Sequence, residues 1–238
     1  MEPLHECRSA TPIIGLYAAA LRDTPLRAER LDPMITLAFP ESWAVGSMSW
    51  YLESNGSEPI MAIGSIAIPE GARVDLHISY VESILENAEG RVSYSGSRRP
   101  VDLRFLGSLP QNCVESLHLQ SIIEPESIKS LPHLAPGLRR LYLAMTELGD
   151  EALESVCRLT DLTYLQTFGN NFTDSGVQVL AGLQGLESLY LEEGSLSAAA
   201  FAFADQIPRL KRLGLQDVAI GAEELADLRA RLPDVEVG

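Results

Sequence analysis

The chain has 238 residues, a hydrophobic content of 46% and a net charge of −15 at pH 7. This length and composition are typical of a folded protein with its own core, and they argue against disorder. Acidic residues outnumber basic ones in both halves of the sequence, so nucleic acids and anionic membranes are disfavoured as partners. A basic protein partner fits this charge better, although acidity can also simply keep a protein soluble.

Cysteine usage and hydropathy indicate in which cellular compartment the protein is expected. The three cysteines, Cys7, Cys113 and Cys157, cannot all pair, and none has the CxxC or CxxH spacing of a zinc site. This usage favours a reducing compartment, and no apolar run in the sequence approaches the ~20 residues that a membrane span needs. We therefore expect a cytoplasmic protein that uses neither a metal nor a cofactor.

Residues 1–70 contain no repeat. The apolar stretch 11–21 could pass for a signal-peptide core, but acidic residues precede it where basic ones belong, so we interpret it as a helix with Thr11 as N-cap. Partial alternation predicts strands over 43–52 and 60–68. Because the end of a repeat array needs its core covered, residues 1–70 are expected to form a small α+β capping region.

Two further strands are predicted before the regular part of the chain. Residues 73–79 alternate between apolar and polar side chains, and residues 101–105 repeat this alternation. The polar, glycine-containing insertion 89–100 between them is expected to be a loop or a hairpin. Together these segments are interpreted as an irregular leading unit.

A 24-residue repeat organises the rest of the chain. The pattern of leucine, two residues, leucine, one residue, leucine, with some replacements, begins at Val114, Leu138, Leu162, Leu186 and Leu210. A coiled coil would need a period of about 3.5 residues instead. The leucines at spacing two predict a short strand at the start of each unit.

The second half of each unit has apolar residues at spacings of three, as in Leu153, Val156 and Leu159. Such steps predict a helix that buries one face. The segments 149–151 and 173–175 contain capping residues where two of these helices should begin. Each unit is thus predicted to be a strand, a turn and a helix.

These units resemble the leucine-rich repeat family in its 24-residue bacterial version, most clearly over 141–153 and 172–177. The resemblance covers residues 101–238 and implies an α/β solenoid with a parallel sheet on its concave face and helices outside. With the leading unit, the solenoid is expected to span 71–238. An asparagine is common at the ninth position of such units, where only Asn170 matches, so a continuous asparagine ladder is not expected.

Residues that could perform catalysis or bind a metal do not form a recognisable site. The sequence has no GxSxG, P-loop or GxGxxG motif. It therefore lacks the backbone turns that position a hydrolase nucleophile or bind the phosphates of a nucleotide. Cys157 falls between core positions of a predicted helix, which favours a buried thiol over a nucleophile. The adjacent carboxylates 192–193 and 223–224 diverge on a strand or helix and are interpreted as solvated charge. We expect no enzymatic activity.

The repeat register predicts which side chains project from the concave face. Because the leucines are buried, the third, fifth and seventh positions of each 24-residue unit should point outward. Tyr142, Tyr164, Phe168 and Tyr190 fall at such positions, in a chain that is only 6% aromatic. Tyr and Arg are frequent in binding hot spots. The expected partner-binding residues are Arg140, Tyr142, Tyr164, Gln166, Phe168, Tyr190, Glu192 and Arg212. The alternative is that the rings only pack over the sheet and over one another.

Three functions are compatible with these observations. The leading one is a protein-binding module that holds a partner protein on its concave face, as an adaptor or as an inhibitor or immunity-type protein. In the second, residues 1–70 carry an effector or enzymatic activity that the repeats direct to a target, although no catalytic constellation is visible there. The third is a structural protein that associates with itself.

The carboxyl end bears on the third possibility. Leu232, Val235 and Val237 predict a last strand after a shortened, 22-residue unit. Asp234 and Glu236 alternate with them, and their negative charges at a sheet edge should repel a second copy. The protein is therefore expected to be a monomer when it is free.

Overall fold

A computed structural model describes residues 33–41, 44–53, 55–79, 83–86, 92–95, 100–193 and 196–238. The chain divides into two units, Met1–Pro33 and Met34–Gly238, and all the elements below belong to the second unit. The helix predicted over 11–21 lies outside the described residues. Among the described residues, no helix is long and apolar enough to cross a membrane.

The described residues contain fourteen strands. They are β1 (Met34–Ala38), β2 (Gly46–Leu52), β3 (Asn55–Gly56), β4 (Ile60–Met61), β5 (Ser65–Pro69), β6 (Arg73–Ile78), β7 (Ser83–Glu86), β8 (Val92–Ser95), β9 (Val114–Leu119), β10 (Arg140–Ala144), β11 (Tyr164–Phe168), β12 (Ser188–Glu192), β13 (Arg212–Gly214) and β14 (Glu236–Val237). Two antiparallel pairs, β1 with β5 and β7 with β8, stand apart from the main sheet.

The main sheet has ten strands in the order β14-β13-β12-β11-β10-β9-β6-β2-β3, with β4 also paired to β2. Strands β6 and β9 to β14 run parallel, whereas β2 to β4 are antiparallel additions. Strands from the predicted region 1–70 thus belong to the same sheet as the repeats. That this region caps the solenoid stays a prediction.

The parallel strands pair in a 24-residue register. Leu141 lies opposite Leu117 and Leu165, and Leu189 lies opposite Leu165 and Leu213. All five leucines are buried in one row, which confirms the inward positions predicted from the repeat. A parallel sheet needs a crossover between successive strands, and the second half of each repeat supplies it.

The crossovers differ from the helices that the sequence predicts. Only α1 (Asp150–Val156) and α2 (Ala222–Arg231) are α-helices among the described residues. The other crossovers are 3₁₀ helices at Pro125–Leu134, Gly176–Gly182 and Ala198–Gln206. A 3₁₀ helix rises about 2.0 Å per residue against about 1.5 Å for an α-helix. Its period of three residues per turn also buries side chains at spacings of three.

Several predictions for the leading segments need correction. Residues 101–105 are not a strand, because only Val101 forms a β-bridge, to Ile123, and a 3₁₀ helix follows at Leu103–Ser108. Asp102 caps this helix by accepting a hydrogen bond from the backbone N of Arg104 at 2.9 Å. The predicted strand 60–68 is broken into β4 and β5, with Gly64 between them in a left-handed conformation (φ +62°).

Other leading segments agree with expectation. Strand β6 matches the predicted strand 73–79, and β2 matches the end of the predicted strand 43–52. The insertion 89–100 contains β8, which forms a hairpin with β7.

The last strand does not follow a shortened unit. Glu236 lies opposite Arg212 and Val237 lies opposite Leu213, so this step again has the 24-residue period and the predicted 22-residue unit is wrong. Helix α2 occupies ten residues of the crossover, so the crossover is not two residues shorter than in the other units. Val237 therefore occupies the second leucine position, and Leu232 is a buried residue at the end of α2.

Candidate binding face

The concave face presents the third, fifth and seventh positions of each repeat, counted from the first leucine. The side chains on this face are half-buried or exposed at most positions, while the leucines between them are buried. The fifth positions lie next to one another across the sheet, from His77 on β6 to Gly214 on β13. Because parallel strands are about 4.8 Å apart, side chains in such a row are within contact distance.

Five aromatic rings form a continuous column across this face. His77 stacks on His118 and His118 stacks on Tyr142, each with ring centroids 3.9 Å apart and planes within 10° of parallel. Tyr142 contacts Tyr164 at 4.9 Å, and Tyr164 contacts Tyr190 at 5.5 Å, with tilted planes. We call these five residues the aromatic column. The rings contact one another, and the five side chains are half-buried or exposed.

Two local features allow the column to continue across β11 and β12. Gln166 occupies the fifth position of β11, and Tyr164, at the third position, supplies the ring instead. The ring of Tyr190 lies over Gly214, because a Cβ at Gly214 would be only 2.1 Å from Cδ1 of Tyr190. A residue with a side chain at position 214 would displace this ring.

The structure brings together three of the four predicted aromatic residues. Phe168 is 39% exposed at the seventh position of β11 and is not part of the column. It lies four positions from Tyr164 along the strand, or roughly 13 Å. His77 and His118 belong to the column, although the sequence did not assign them to the site. His118 stands at a fifth position, which was the signal that could have identified it.

Burial and neighbouring charge keep His118 in the column uncharged. Burial, with the neighbouring His77 and Arg140, lowers the pKa of His118 to about 4. The Nε2 atom of His118 lies 3.1 Å from Oγ of Ser116, in a hydrogen bond. Neutral His118 can therefore stack between His77 and Tyr142 at pH 7 without burying a charge.

The two predicted arginines are both in ion pairs. The guanidinium of Arg140 is 3.3 Å from Oε1 of Glu115 and 4.0 Å from Oδ1 of Asp75, and Asp75 Oδ1 accepts no hydrogen bond from the described residues. Arg212 pairs with Glu236 at 3.4 Å, with both side chains largely exposed. Such exposed pairs stabilise a protein little. Both arginines thus have local carboxylate partners on this face.

A polar relay connects the column to Glu192. The hydroxyl of Tyr164 donates to Oε1 of Gln166 at 2.8 Å, and Nε2 of Gln166 donates to Oε1 of Glu192 at 2.9 Å. Burial, with the neighbouring Tyr142, Tyr190 and Glu192, raises the pKa of Tyr164 to about 12, so its hydroxyl stays protonated. The relay therefore holds the Glu192 carboxylate in a defined orientation.

A second polar network lies buried at the carboxyl ends of β10 to β12. Asn170 Oδ1 accepts hydrogen bonds from the backbone N and Oγ1 of Thr146. The backbone N and Nδ2 of Asn170 donate to the two carboxylate oxygens of Glu193, at 2.6 and 3.0 Å. Glu193 is only 1% exposed, so its interpretation as solvated charge is wrong. A threonine, an asparagine and a glutamate here take the place of a uniform asparagine ladder.

The outer turns also join successive repeats through side chains. The Asp150 carboxylate accepts from the backbone N and Oγ1 of Thr173. In the next repeat, Asp174 accepts from the backbone N and Oγ of Ser197 in the same way. The two aspartates thus fasten each outer turn to the one that follows it.

The predicted capping residues in these turns act only in part. Gly149 and Ser175, at the two N-cap positions, make no side-chain capping bond. Oγ1 of Thr173 accepts from the backbone N of Gly176 at 3.1 Å. Of the predicted side chains, Thr173 therefore satisfies a backbone N–H at the start of its helix, as capping residues do.

The described cysteines are not activated for chemistry. Burial raises the pKa of Cys113 to about 11 and, with the Glu154 carboxylate, raises the pKa of Cys157 to about 11. The thiol of Cys157 donates to the backbone oxygen of Val179 at 3.0 Å. Within the described ranges no three His, Cys, Asp or Glu side chains form a group that could hold a metal ion.

The buried leucine rows, the parallel 24-residue register and the crossovers establish the repeat architecture. Residues 114–238 therefore form an array of 24-residue repeats, each with a parallel strand and a crossover. No family model and no curated protein matches the sequence. Among solved structures, the chain is similar to a leucine-rich repeat protein of Leptospira interrogans, with 22% identity and a TM-score of 0.41. It is also similar to an internalin of Listeria monocytogenes, with 19% identity and a TM-score of 0.39.

Each of these two matches covers 57% of the present chain. It covers 33% of the Leptospira protein and 43% of the internalin. The chain thus spans less than half the length of either structure.

Proposed function

We propose that this leucine-rich repeat chain is a non-catalytic protein-binding module that holds a partner protein on its concave face. The aromatic column is the observation that supports this proposal most. Its five rings cross five neighbouring strands, and their side chains remain half-buried or exposed. The proposed contact residues are Arg140, Tyr142, Tyr164, Gln166, Phe168, Tyr190, Glu192 and Arg212.

The column is suited to binding because its side chains are already ordered. Each ring is held by its neighbours, so little side-chain freedom remains to be lost when a partner binds. Tyrosine combines a large apolar ring with a polar hydroxyl and is frequent in binding hot spots. Four strand spacings of about 4.8 Å give the column a length of roughly 19 Å, which suits the centre of a standard protein interface.

Apolar side chains extend this surface toward the carboxyl ends of the strands. Phe168 and the neighbouring Met145 are 39% and 52% exposed. Their backbones are adjacent, because Met145 N donates to the oxygen of Phe168 at 2.7 Å. Exposed apolar groups beside an ordered aromatic column favour a macromolecular partner over a small one. Within this proposal the protein is a cytoplasmic adaptor or inhibitor that is monomeric when free.

Selection from a phage-displayed library of random dodecapeptides tests the proposal. We expect selected peptides to bind the full chain and to lose most of their affinity for the Tyr142→Ala/Tyr190→Ala variant. Val179→Ala is the matched control, because Val179 is 43% exposed on an outer crossover rather than on the sheet. Peptides that bind the aromatic variant as well as the natural chain would contradict the proposal.

A further inference from the structure

We propose that the concave face has a subsite for a lysine or arginine side chain of the partner, with Glu192 as its anion. This inference rests on the proposed function and adds a statement about the partner's chemistry. The subsite is an open groove of about 680 Å³ beside Gly214, which is lined by Tyr164, Gln166, Tyr190, Glu192, Gly214 and Gln216 among others. Its size accommodates one long side chain together with part of its backbone.

The charge in this groove is negative, and no cation among the described residues is paired with it. Glu192 is the carboxylate side chain among those lining residues. In the described part of the chain, no cation pairs with Glu192, whereas both arginines of the concave face already pair with carboxylates. A half-buried carboxylate without a counterion attracts a positive group more strongly than an exposed one, because solvent screens it less.

Arg212, on the strand next to that of Glu192, does not pair with this carboxylate. Arg212 is at the third position of β13, whereas Glu192 is at the seventh position of β12. Their backbones are thus four positions apart along the strand direction, or roughly 13 Å. This distance exceeds the screening length of about 8 Å at physiological salt. Arg212 is also paired with Glu236. It therefore leaves the attraction of Glu192 for a partner cation largely intact.

The polar relay favours a cation over a neutral group. Since Oε1 of Gln166 accepts from the hydroxyl of Tyr164, its Nε2 must face Glu192. The flipped amide would place two acceptors against each other. Gln166 donates to Oε1 of Glu192, and no described residue donates to Oε2, which can accept from an incoming ammonium or guanidinium. A charge-assisted hydrogen bond of this kind is stronger than one between neutral groups.

NMR titration of the full chain with N-acetyl-arginine amide tests the subsite, with the corresponding citrulline amide as the neutral probe of the same shape. We expect saturable shifts at the Gln166 side-chain amide and the Gly214 backbone amide, with a roughly millimolar Kd for so small a probe. Citrulline amide should bind about tenfold more weakly. Glu192→Gln should weaken arginine binding by a similar factor, because it removes the charge but keeps an acceptor for Gln166.

The control variant is Glu154→Gln, which removes the same charge from an exposed position on α1 and should leave binding unchanged. Equal binding of citrulline and arginine would assign the groove to a neutral polar segment and overturn the inference. Shifts that depend on protein concentration without probe would assign it to a second copy and also overturn it. If the probe fails while library peptides still depend on Tyr142 and Tyr190, the subsite is refuted and the proposed function stands.

Discussion

Replacing Asn170 by alanine should destabilise the protein more than its surface position suggests. The Asn170 side chain accepts from Thr146 and donates to Glu193 and to the backbone oxygens of Leu143 and Phe168. Thr146 and Glu193 are almost completely buried, with exposures of 0% and 1%. Truncation would therefore leave a buried backbone N–H and one oxygen of a buried carboxylate without their partner.

The magnitude follows from the groups left unsatisfied. Each buried polar group that loses its only partner costs about 1–3 kcal/mol, and more when it is charged. Asn170 itself is half-buried, so water can replace some of the lost bonds. We therefore expect the free energy of unfolding to fall by about 3–5 kcal/mol, which is large compared with a typical surface substitution.

Urea denaturation followed by circular dichroism measures this change, and the chain offers a matched control. Asn171 is exposed, and its side chain donates one hydrogen bond, to the oxygen of Glu147 at 3.2 Å. Asn171→Ala should cost about 1 kcal/mol or less. A difference of less than about 1 kcal/mol between the two variants would refute the buried network as a source of stability.

Three other perturbations test separate parts of the structure. Leu165 is fully buried between Leu141 and Leu189, so Leu165→Ala should lower the free energy of unfolding by about 2–5 kcal/mol, and an unchanged melting temperature would contradict the repeat core. The pKa of Cys157 is raised to about 11, so its alkylation by iodoacetamide, measured in a Cys7→Ser background, should be slow at pH 8 and accelerate up to about pH 11. An alkylation rate that reaches its plateau near pH 8 would disprove this prediction. Because the pKa of His118 is lowered from 6.5 to about 4, the unfolded state binds more protons between these values and stability should fall as the pH decreases through this window. His118→Phe should reduce this loss of stability, measured by urea denaturation at several pH values. An equal pH dependence of stability in both proteins would contradict the role of His118.

The sheet register could be predicted because a solenoid repeats one geometry. The first leucine positions recur with the 24-residue period, and a parallel ladder with constant register places equivalent residues side by side. The outward positions of Tyr142 and Tyr190 follow directly from that alternation. The 3₁₀ crossovers could not be distinguished from α-helices, since both bury apolar residues at spacings of three.

The site depends on contacts between strands that the repeat frame does not specify. Tyr164 joins the column from a third position, because Gln166 occupies the fifth. His77 belongs to a strand that an irregular segment separates from the regular repeats, so its register with His118 is visible only in the sheet. Glu193 is buried although a glutamate usually remains solvated. Its partner Asn170 lies in the preceding repeat, and only the folded geometry shows that they meet.

The most direct test of the concave-face account compares binding with stability in one variant, Tyr190→Ala. The affinity of a library-selected peptide is measured by isothermal titration calorimetry, and the free energy of unfolding by urea denaturation. We predict a loss of about 1–4 kcal/mol in binding free energy. The loss in unfolding free energy should be no more than about 1.5 kcal/mol, because Tyr190 ends the column and removing it breaks one ring contact. A protein that loses stability but keeps its affinity would show that the column only packs over the sheet, and the account would be wrong.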